Sequence, residues 1–442
     1  MTQKLRLACI ADDFTGATDL ANNLVRSGMR VMQTMGVPST PLPADANVDA
    51  VVVALKTRTL APAQAVKQSL AALHWLLAQS KEPESLQIYF KYCSTFDSVF
   101  TPQVQGNIGA VTEALMVALQ TDFTIATPAF PDTGRTVFKG HLFVGDVLLS
   151  ESGMQNHPLT PMVDSNLVRV LQAQTHCRVG LLDYKTALQG TVAIQSRMTD
   201  MQSQGVQIAV VDALSNNDLM QLGRALKGMR LVTAGSGVAI GLPQNFDIQA
   251  SDKASQLPAV QGLKAIVSGS CSIASNAQVA HFIASGGPAL ALDPLVITRQ
   301  QAAGINAVAQ ALDWAKSNLQ KQANQDDVPP ILIYATADPA SVKAVQAQLG
   351  VTQAGELMEH TLSQIAVGLS EWGVRQLVVA GGETSGACVQ ALGITQMQIG
   401  PQIDPGVPWC FANAKGANLH LALKSGNFGT VDFFNKAFGA LR

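Results

Sequence analysis

Near its amino terminus the chain reads LACIADDFTGATD, residues 7–19. The first five of these residues are apolar and predict a buried strand. The Asp-Asp pair and the Thr-Gly step that follow predict a turn into a helix. Short apolar runs and longer amphipathic stretches then alternate almost to the end of the chain. Alternation of this kind favours parallel sheets that are covered by helices.

The alternation falls into two series. The chain has 442 residues, which is too many for one ordinary hydrophobic core. Residues 243–262 are polar and show no periodic apolar face, as expected of a linker. We therefore predict an α/β protein with two domains, residues 1–242 and 263–442. Each domain is predicted to be a mostly parallel sheet flanked by helices, with the active site in the cleft between them.

The periodicity of the apolar residues also places the individual elements. Strands of the first domain are predicted at residues 7–11, 50–55, 87–92, 123–127, 179–183, 207–212 and 230–234. Its helices are predicted at residues 63–78, 107–119, 185–204 and 216–226, with a small hairpin at 136–144. Strands of the second domain are predicted at residues 265–268, 289–292, 331–335, 376–379 and 419–423. Its helices are predicted at residues 275–284, 299–320, 339–349, 355–372, 385–392 and 431–438.

The composition argues against several classes of protein. Lys and Arg number 29 against 31 Asp and Glu, so the chain lacks the basic excess that attracts nucleic acid or an anionic membrane. None of the six cysteines forms a CxxC pair, and the first residues show no secretory signal. No apolar run approaches the roughly 20 residues of a membrane span. We expect a cytoplasmic protein that binds neither nucleic acid nor membrane, and a homodimer is left open.

Charged side chains follow two predicted strands of the first domain. Asp12 and Asp13 end the first strand, and Lys91 begins the segment KYCSTFDS, residues 91–98. Ligands of open α/β sheets bind at the carboxyl ends of strands, so these residues are candidates for a binding site. The alternatives are that an aspartate caps the following helix and that residues 91–98 form a polar turn.

Two further candidates lie after the next strand. Arg135 belongs to the segment PDTGRT, residues 131–136, and its guanidinium is suited to bidentate capture of a carboxylate. His141 follows shortly after and is a second candidate for contact with a ligand. A lone histidine is, however, more often a structural hydrogen-bonding residue than a catalyst, and this alternative stays open.

The strongest local signal of the second domain is VVAGGETSG, residues 378–386. An apolar strand runs into two glycines and then into a helix, whose first N–H groups suit a phosphate. Two similar turns, VSGSCS at residues 267–272 and KSGNFG at 424–429, also follow predicted strands. Each turn alone is a weak signal, with an ordinary tight turn as the alternative, and the three together are a stronger one. The chain has no GxxxxGK[ST] motif, and residues 235–241 have the wrong glycine spacing for a dinucleotide loop.

Together, ADDFTGATD (residues 11–19) and GGETSG (residues 381–386) resemble the two signatures of the four-carbon acid sugar kinases, once known only as a family of unknown function. The signatures stand in the family's order, so the resemblance covers essentially the whole chain. It implies that the first domain binds the acid sugar and that the second binds ATP. The implied ATP contacts are Ser268, Gly381, Gly382, Glu383, Thr384 and Gly426. For the acid sugar we choose Asp12, Asp13, Lys91, Arg135 and His141.

A departure from the family pattern narrows the substrate. Many members carry K-x-D-S-T-x-R-G-N after the third strand, whereas this chain reads KYCSTFDS and has a longer gap before Gly106. With residues 128–146 and 150–162, this departure resembles the branch that phosphorylates O4 of 3-oxo-tetronate. It also leaves no equivalent of the family arginine in that segment. The alternatives are a kinase of D-threonate, L-threonate or D-erythronate, and a non-catalytic sugar-acid sensor.

The resemblance implies direct in-line transfer of the γ-phosphoryl group of ATP. Such transfer depends mainly on positioning and charge neutralisation, so Mg²⁺ is expected on the phosphates, with its protein ligands left open. Asp13 is our choice of base for the attacking hydroxyl, with Asp97 second. Arg135 or Lys91 would hold the substrate carboxylate.

Overall fold

The computed structural model describes residues 5–43, 47–157, 159–322 and 329–441. The chain forms two compact units, Met1–Ser255 and Gln256–Arg442. Each unit is a mostly parallel sheet flanked by helices, which confirms the predicted fold class. The predicted domain limits and the predicted cleft between the domains stay predictions.

The elements of unit 1 alternate as the sequence predicts. Its strands are β1 (Leu7–Ala11), β2 (Val31–Met35), β3 (Ala50–Ala54), β4 (Gln87–Lys91), β5 (Thr124–Thr127), β6 (Arg135–Phe138), β7 (His141–Val144), β8 (Val147–Leu148), β9 (Val179–Leu182), β10 (Ile208–Val211) and β11 (Leu231–Ala234). Its helices are α1 (Phe14–Arg26), α2 (Pro62–Ala78), α3 (Ile108–Ala118), α4 (Leu167–Gln172), α5 (Tyr184–Ala187), α6 (Thr191–Ser203) and α7 (Asn216–Ala225).

The register of the main sheet of unit 1 aligns the ends of its central strands. The strand order is β2-β3-β1-β4-β11-β5-β10-β9, and the neighbouring strands run parallel. Ala11 at the end of β1 pairs with Ala54 at the end of β3 and with Lys91 at the end of β4. Lys91 also pairs with Ala234 at the end of β11. The residues that follow these strands therefore emerge at one edge of the sheet.

Helix α1 begins directly at that edge. Asp13 is its N-cap, with extended backbone angles (φ −150°, ψ 162°), and its carboxylate accepts a hydrogen bond of 3.1 Å from the N–H of Gly16. Arg26 lies in the last turn, where a cation is favoured by the helix dipole. The start of α1 is therefore fixed by the same carboxylate that the sequence marks as functional.

The predicted hairpin at residues 136–144 is confirmed. Strands β6, β7 and β8 form a small antiparallel sheet of their own. It is tied to the rest of unit 1 by a bridge between Val137 and Ala213, in which each N–H donates to the other carbonyl at 2.9 and 3.0 Å. Arg135 and His141 are the first residues of β6 and β7.

Unit 2 contains a second alternating series. Its strands are β12 (Leu263–Ser268), β13 (Ala289–Ala291), β14 (Ile331–Tyr334), β15 (Val374–Ala380), β16 (Gln396–Asp404), β17 (Val407–Ala414) and β18 (Ala417–Lys424). Its helices are α8 (Ile273–Ala284), α9 (Pro294–Ala302), α10 (Ala307–Gln322), α11 (Pro339–Leu349), α12 (Val351–Glu371), α13 (Gly382–Ala391) and α14 (Phe433–Lys436).

The strands of unit 2 follow the order β13-β14-β12-β15-β18-β17-β16. The pairs from β13 to β18 are parallel, whereas β18, β17 and β16 pair antiparallel. Because β12, β15 and β18 are parallel neighbours, the turns that follow them lie at one edge. No helix of the described residues is long and apolar enough to cross a membrane.

Several predicted elements were wrong in detail. The single helix predicted at 299–320 is two helices, because Gly304 with φ +72° interrupts the chain between α9 and α10. The helix predicted at 185–204 is likewise split into α5 and α6 at Gly190, where φ is +88°. Strands β2, β16 and β17 were not predicted. Polar residues interrupt the apolar runs of β2 and β16, and Pro408 follows the first residue of β17.

The carboxyl-terminal residues close the core of unit 2 around one tryptophan. Trp409 of β17 is fully buried, and its indole N–H donates to the carbonyl of Ala437 at 2.8 Å. Its ring lies 5.6 Å from that of Phe438. Phe433 and Phe434 belong to the same apolar cluster. The chain end is thus held by burial and by one polar bond.

We expect Trp409→Phe to lower the free energy of unfolding by about 1–3 kcal/mol, because the buried carbonyl of Ala437 loses its donor. Urea unfolding followed by circular dichroism measures the change. The control is Trp372→Phe, which alters a side chain that is 37% exposed and should cost less than about 0.5 kcal/mol. Equal effects of the two substitutions would contradict this account of the core.

Candidate functional site

Four charged side chains meet at the sheet edge of unit 1. Arg58 donates from Nε to Asp12 Oδ2 at 3.1 Å, and its Nη2 forms an ion pair with Asp13 Oδ1 at 2.8 Å. Lys91 Nζ lies 3.2 Å from Asp13 Oδ1 and 3.8 Å from Asp12 Oδ1. Two carboxylates and two cations therefore form one cluster, which we call the four-charge cluster. The structure thus brings together Asp12, Asp13 and Lys91 of the predicted site.

The cluster is largely withdrawn from water. The side chains of Asp12 and Lys91 are 4% exposed, and those of Asp13 and Arg58 are 24% and 23% exposed. Burial alone would raise the pKa of Asp13, but the charges of Arg58 and Lys91 and the hydroxyl of Thr15 hold it well below its usual range. Asp13 therefore carries a negative charge at neutral pH.

The pKa values of Asp12 and Lys91 are set by burial and by the neighbouring charges of the cluster. Burial, assisted by the charge of Asp13, raises the pKa of Asp12 in spite of Arg58 and Lys91. For Lys91, burial favours the neutral amine, but Asp13 and Asp12 outweigh it and raise the pKa of Lys91. Lys91 is consequently a protonated amine in the middle of the cluster.

Asp13 combines a structural role with an accessible position. Its Oδ1 accepts from Gly16 and Lys91 and forms an ion pair with Arg58, and its Oδ2 accepts from the hydroxyl of Thr15 at 2.8 Å. The capping alternative that the sequence left open therefore describes this residue. A cap does not exclude a functional role, since Asp13 is the more exposed of the two aspartates.

Gly16 leaves room for the amine of Lys91. A Cβ at this position would lie 1.7 Å from Lys91 Nζ and 2.2 Å from Asp13 Oδ1. Neither atom can move without breaking an ion pair of the cluster. The glycine of the ADDFTGATD segment is thus required by the packing of a charged side chain onto the first turn of α1.

Sequence reasoning missed Arg58. It lies in the turn after β3, and its N–H and that of Thr57 donate to the carbonyl of Asp12 at 3.3 and 2.9 Å. Asn107 holds the same turn, since its Nδ2 donates to the carbonyls of Thr57 and Leu60 at 2.8 and 2.9 Å. Arg58 could have been found from the pairing of β3 with β1, because that pairing places the turns after these two strands side by side.

Asp97, the second choice of base, is bound to hydroxyls on both oxygens. Oδ1 accepts from Thr95 at 2.5 Å, and Oδ2 accepts from Thr160 at 2.9 Å. Burial would raise its pKa, but the charge of Arg58 and these hydrogen bonds lower it. Asp97 thereby connects the turn after β4 to the loop that carries Thr160.

Among the described residues, Arg135 forms no ion pair with a carboxylate. Its Nη1 donates to the carbonyl of Thr133, and its Nε is buried without a hydrogen-bond partner. Across residues 5–43, 47–157, 159–322 and 329–441, no carboxylate oxygen lies within 4.0 Å of its guanidinium. Its charge nevertheless acts on the buried carboxylate of Asp19, as does that of Lys91. Arg135 can therefore accept a ligand carboxylate.

His141 takes part in the hairpin rather than in the cluster. Its Nδ1 lies 2.9 Å from the carbonyl of Lys139, and its Nε2 lies 3.4 Å from the amide nitrogen of Asn166. These contacts describe a structural hydrogen-bonding histidine, which was the alternative left open. The structure does not bring its ring into contact with the four-charge cluster.

In unit 2, the turns after β12, β15 and β18 are packed closely against each other. A Cβ on Gly269 would lie 2.2 Å from Thr384 Oγ1, and one on Gly426 would lie 2.7 Å from Ser270 Oγ. Gly381 has φ +119°, and its Cβ would lie 3.2 Å from the backbone nitrogen of Ser270. The three turns that the sequence singled out therefore meet, and their glycines make the approach possible.

Helix α13 starts within this group of turns with its first N–H groups uncapped. Gly381 is the N-cap and supplies no side-chain hydrogen bond. A Cβ on Gly382 would meet nothing within 4 Å, and Glu383 is an exposed residue of the first turn. Thr384 is buried beneath them. Uncapped N–H groups beside open space suit an anion such as a phosphate.

Ser268 contributes to this region from within. Its hydroxyl is buried and lies 2.7 Å from the hydroxyl of Thr336. At the same edge, Lys424 ends β18 fully buried, and burial lowers the pKa of its amine to about 8. No group of three or more His, Cys, Asp or Glu side chains in the described residues could hold a metal ion.

Family models match the two halves of the chain separately. A family model described as a sugar-binding N-terminal domain matches residues 7–242, and one described as a nucleotide-binding C-terminal domain matches residues 265–434. The first holds the four-charge cluster and the second holds the three turns. The two matched domains together cover most of the chain.

Similar proteins extend over the full length. A 3-oxo-tetronate kinase of Burkholderia multivorans is 55% identical, over 98% of this chain and 97% of its own. A protein of the same name from Pseudomonas fluorescens is also 55% identical, with the same coverage. A crystal structure of a Haemophilus influenzae protein is 42% identical, covers 98% of this chain and 100% of its own, and has a TM-score of 0.81. The chain therefore belongs to the four-carbon acid sugar kinase family, as its two signature motifs indicate.

Proposed function

We propose that the chain is an ATP-dependent kinase that phosphorylates O4 of 3-oxo-tetronate, giving 3-oxo-tetronate 4-phosphate and ADP. The observation that carries the proposal is the intact pair of sites. A buried charge cluster lies in the unit that matches a sugar-binding model, and uncapped N–H groups lie in the unit that matches a nucleotide-binding model. The full-length relatives that bear the name 3-oxo-tetronate kinase support the choice of substrate.

On the sugar side, Asp13 receives the hydroxyl that attacks the phosphorus. Its low pKa makes it a weak base, but phosphoryl transfer passes through a loose transition state in most analyses and depends chiefly on positioning. Arg58 and Lys91 fix the direction of its carboxylate. Arg135, which has no carboxylate partner, takes the substrate carboxylate.

On the nucleotide side, backbone N–H groups receive the phosphates of ATP. The first turn of α13, from Gly382, offers uncapped donors, and the turns after β12 and β18 lie against it. Ser268, Gly381, Glu383, Thr384 and Gly426 complete the proposed contacts. Mg²⁺ bound to the phosphates would neutralise their charge, and it would be held mainly by phosphate and water.

The activity is tested by ADP release from Mg·ATP with 3-oxo-tetronate, both threonates and both erythronates. We expect turnover with 3-oxo-tetronate and a loss of about 10²–10⁴-fold in kcat for Asp13→Asn, because an amide cannot take the proton of the attacking hydroxyl. Asp164→Asn, which removes a carboxylate paired with the exposed Arg169, serves as the control. Turnover with a threonate alone would overturn the substrate, and binding without turnover would favour a sensor.

A second prediction concerns Arg58. Arg58→Met leaves Asp12 and Asp13 with Lys91 alone, so we expect kcat/KM to fall by about 10²-fold because the acceptor is misplaced. Asp13, ionised across neutral pH in the native protein, should then have a raised pKa, since one of its two cations is gone. Activity of the variant should therefore decline as pH falls, while that of the native protein stays level.

The pH profile of kcat/KM is the measurement, with Arg58→Lys as the matched variant. This variant keeps a positive charge and loses the bidentate geometry, so its profile should stay close to the native one. Parallel profiles for all three proteins would show that Arg58 does not set the ionisation of the aspartates.

A third prediction tests the space above α1. Gly16→Ala places a methyl group on the amine of Lys91, and we expect a loss of about 10²-fold in kcat/KM. Gly355→Ala is the control, because its Cβ lies 4.0 Å from the nearest atom, Glu359 Oε1. That substitution should leave activity unchanged and raise helix stability by up to about 1 kcal/mol. Full activity of Gly16→Ala would contradict the packing argument.

A further inference from the structure

The turn that follows β18 is built around a buried amine. Lys424 Nζ donates to the backbone carbonyls of Ser425, Gly426 and Phe428 at 3.0, 2.9 and 3.1 Å. It also lies 3.2 Å from the hydroxyl of Ser275. The carbonyl groups of the turn therefore point inward, toward the amine.

A second side chain holds the rest of the turn in the same way. Gln278 of α8 is fully buried, and its Nε2 donates to the carbonyls of Phe428, Gly429 and Thr430 at 3.0, 3.0 and 3.1 Å. Consecutive carbonyls are thus drawn to the inner side of the turn. The two side chains share the carbonyl of Phe428.

The carbonyl of Gly426 is the most heavily bound acceptor. Besides Lys424, the hydroxyls of Ser272 and Ser275 donate to it at 2.6 and 3.0 Å. Both serines follow β12, so the bonds join the turn after β18 to the turn after β12. This peptide unit is consequently fixed in one orientation by three donors.

Fixing the carbonyls also fixes the N–H groups. In a trans peptide the C=O and the following N–H point in opposite directions, and the described residues contain no cis peptide. The N–H groups of Gly426, Asn427 and Gly429 are therefore turned away from the amine. Within the described part of the chain none of the three donates a hydrogen bond, and the turn is partly or fully exposed there. The consecutive N–H groups of Gly426 and Asn427, with that of Gly429 beyond Phe428, form a concavity that suits an anion.

The amine behind these groups carries a charge that no acid balances. In the described ranges no carboxylate oxygen lies within 4.0 Å of Lys424 Nζ. An unpaired buried ammonium is costly, and a lysine is not needed merely to donate hydrogen bonds, as Gln278 demonstrates in the same turn. A phosphate outside the turn would offset that cost.

We infer that Lys424 is a positioning residue of the phosphate site: it turns the N–H groups of Gly426, Asn427 and Gly429 outward and places a positive charge behind them, without touching the nucleotide. The inference rests on the proposed function. Of the proposed ATP contacts, it concerns Gly426 and the residues around it. It assigns the turn after β18 to the charged phosphates rather than to the adenosine.

The test compares a charged and an uncharged ligand of the same site. Isothermal titration with ADP and with adenosine is carried out on the native chain, Lys424→Met and Lys424→Gln. We expect ADP to bind about 10- to 100-fold more weakly to both variants and adenosine to change by less than about threefold. Lys424→Gln retains an amide donor, so it keeps the test valid if Lys424→Met does not fold.

Gln278→Leu is the matched variant, because it removes three hydrogen bonds from the turn and no charge. We expect Gln278→Leu to weaken the binding of ADP more than that of adenosine. The loss of ADP affinity should be smaller than in the Lys424 variants. Equal weakening of ADP and adenosine by the Lys424 variants would mean a merely structural role, and unchanged ADP binding would mean none. Either result overturns the inference.

The native chain separates this inference from the proposed function. If it binds ADP and phosphorylates the acid sugar while the Lys424 variants behave normally, only the inference fails. If the native chain binds no ADP, the kinase proposal itself fails.

Discussion

The ion pairs of Arg58 with Asp12 and Asp13 impose the main constraint on unit 1. Charges withdrawn from water must be paired, and removing one partner leaves the others uncompensated. The pairing requires the turns after β1 and β3 to lie side by side, and Lys91 must reach over the start of α1. The strand order, the glycine at position 16 and the N-cap of α1 all serve this arrangement.

The same pairing limits what the cluster can bind. Arg58 and Lys91 are already paired with two carboxylates, so the cluster offers no unpaired cation to an acid. Arg135 has no such partner, and its buried Nε is left without an acceptor. In the proposed function the two tasks fall to different residues: the cluster orients a hydroxyl, and Arg135 compensates the carboxylate. A cluster with an excess of positive charge would attract the substrate carboxylate as well, and it would then no longer be reserved for the hydroxyl.

Much of this was predictable from the sequence, and the remainder has physical causes. The apolar runs predicted most of the parallel strands. The glycine-rich turns predicted the residues that meet at the sheet edge of unit 2. Arg58 stood 45 positions after Asp13 and became visible only through the pairing of β3 with β1. Gly304 and Gly190 divided predicted helices because periodicity does not register a single left-handed residue. The sequence left open whether an aspartate caps the helix, and only the structure shows that Asp13 is the N-cap of α1.

In the proposed function, the two units would bind anionic ligands by different physical means. In the four-charge cluster of unit 1, Arg58 and Lys91 are already paired with carboxylates, so the cluster can orient a ligand group but attracts an anion weakly. In unit 2 the donors are mostly backbone N–H groups, and the amine of Lys424 lies behind them without a counter-ion. Backbone donors have fixed directions and no side-chain entropy to lose, whereas an exposed lysine would be flexible and screened by water. Burying the cation inside the turn keeps its field directed at the ligand and leaves the surface to the N–H groups. This division explains why a lysine ends β18 although its amine is enclosed by carbonyls.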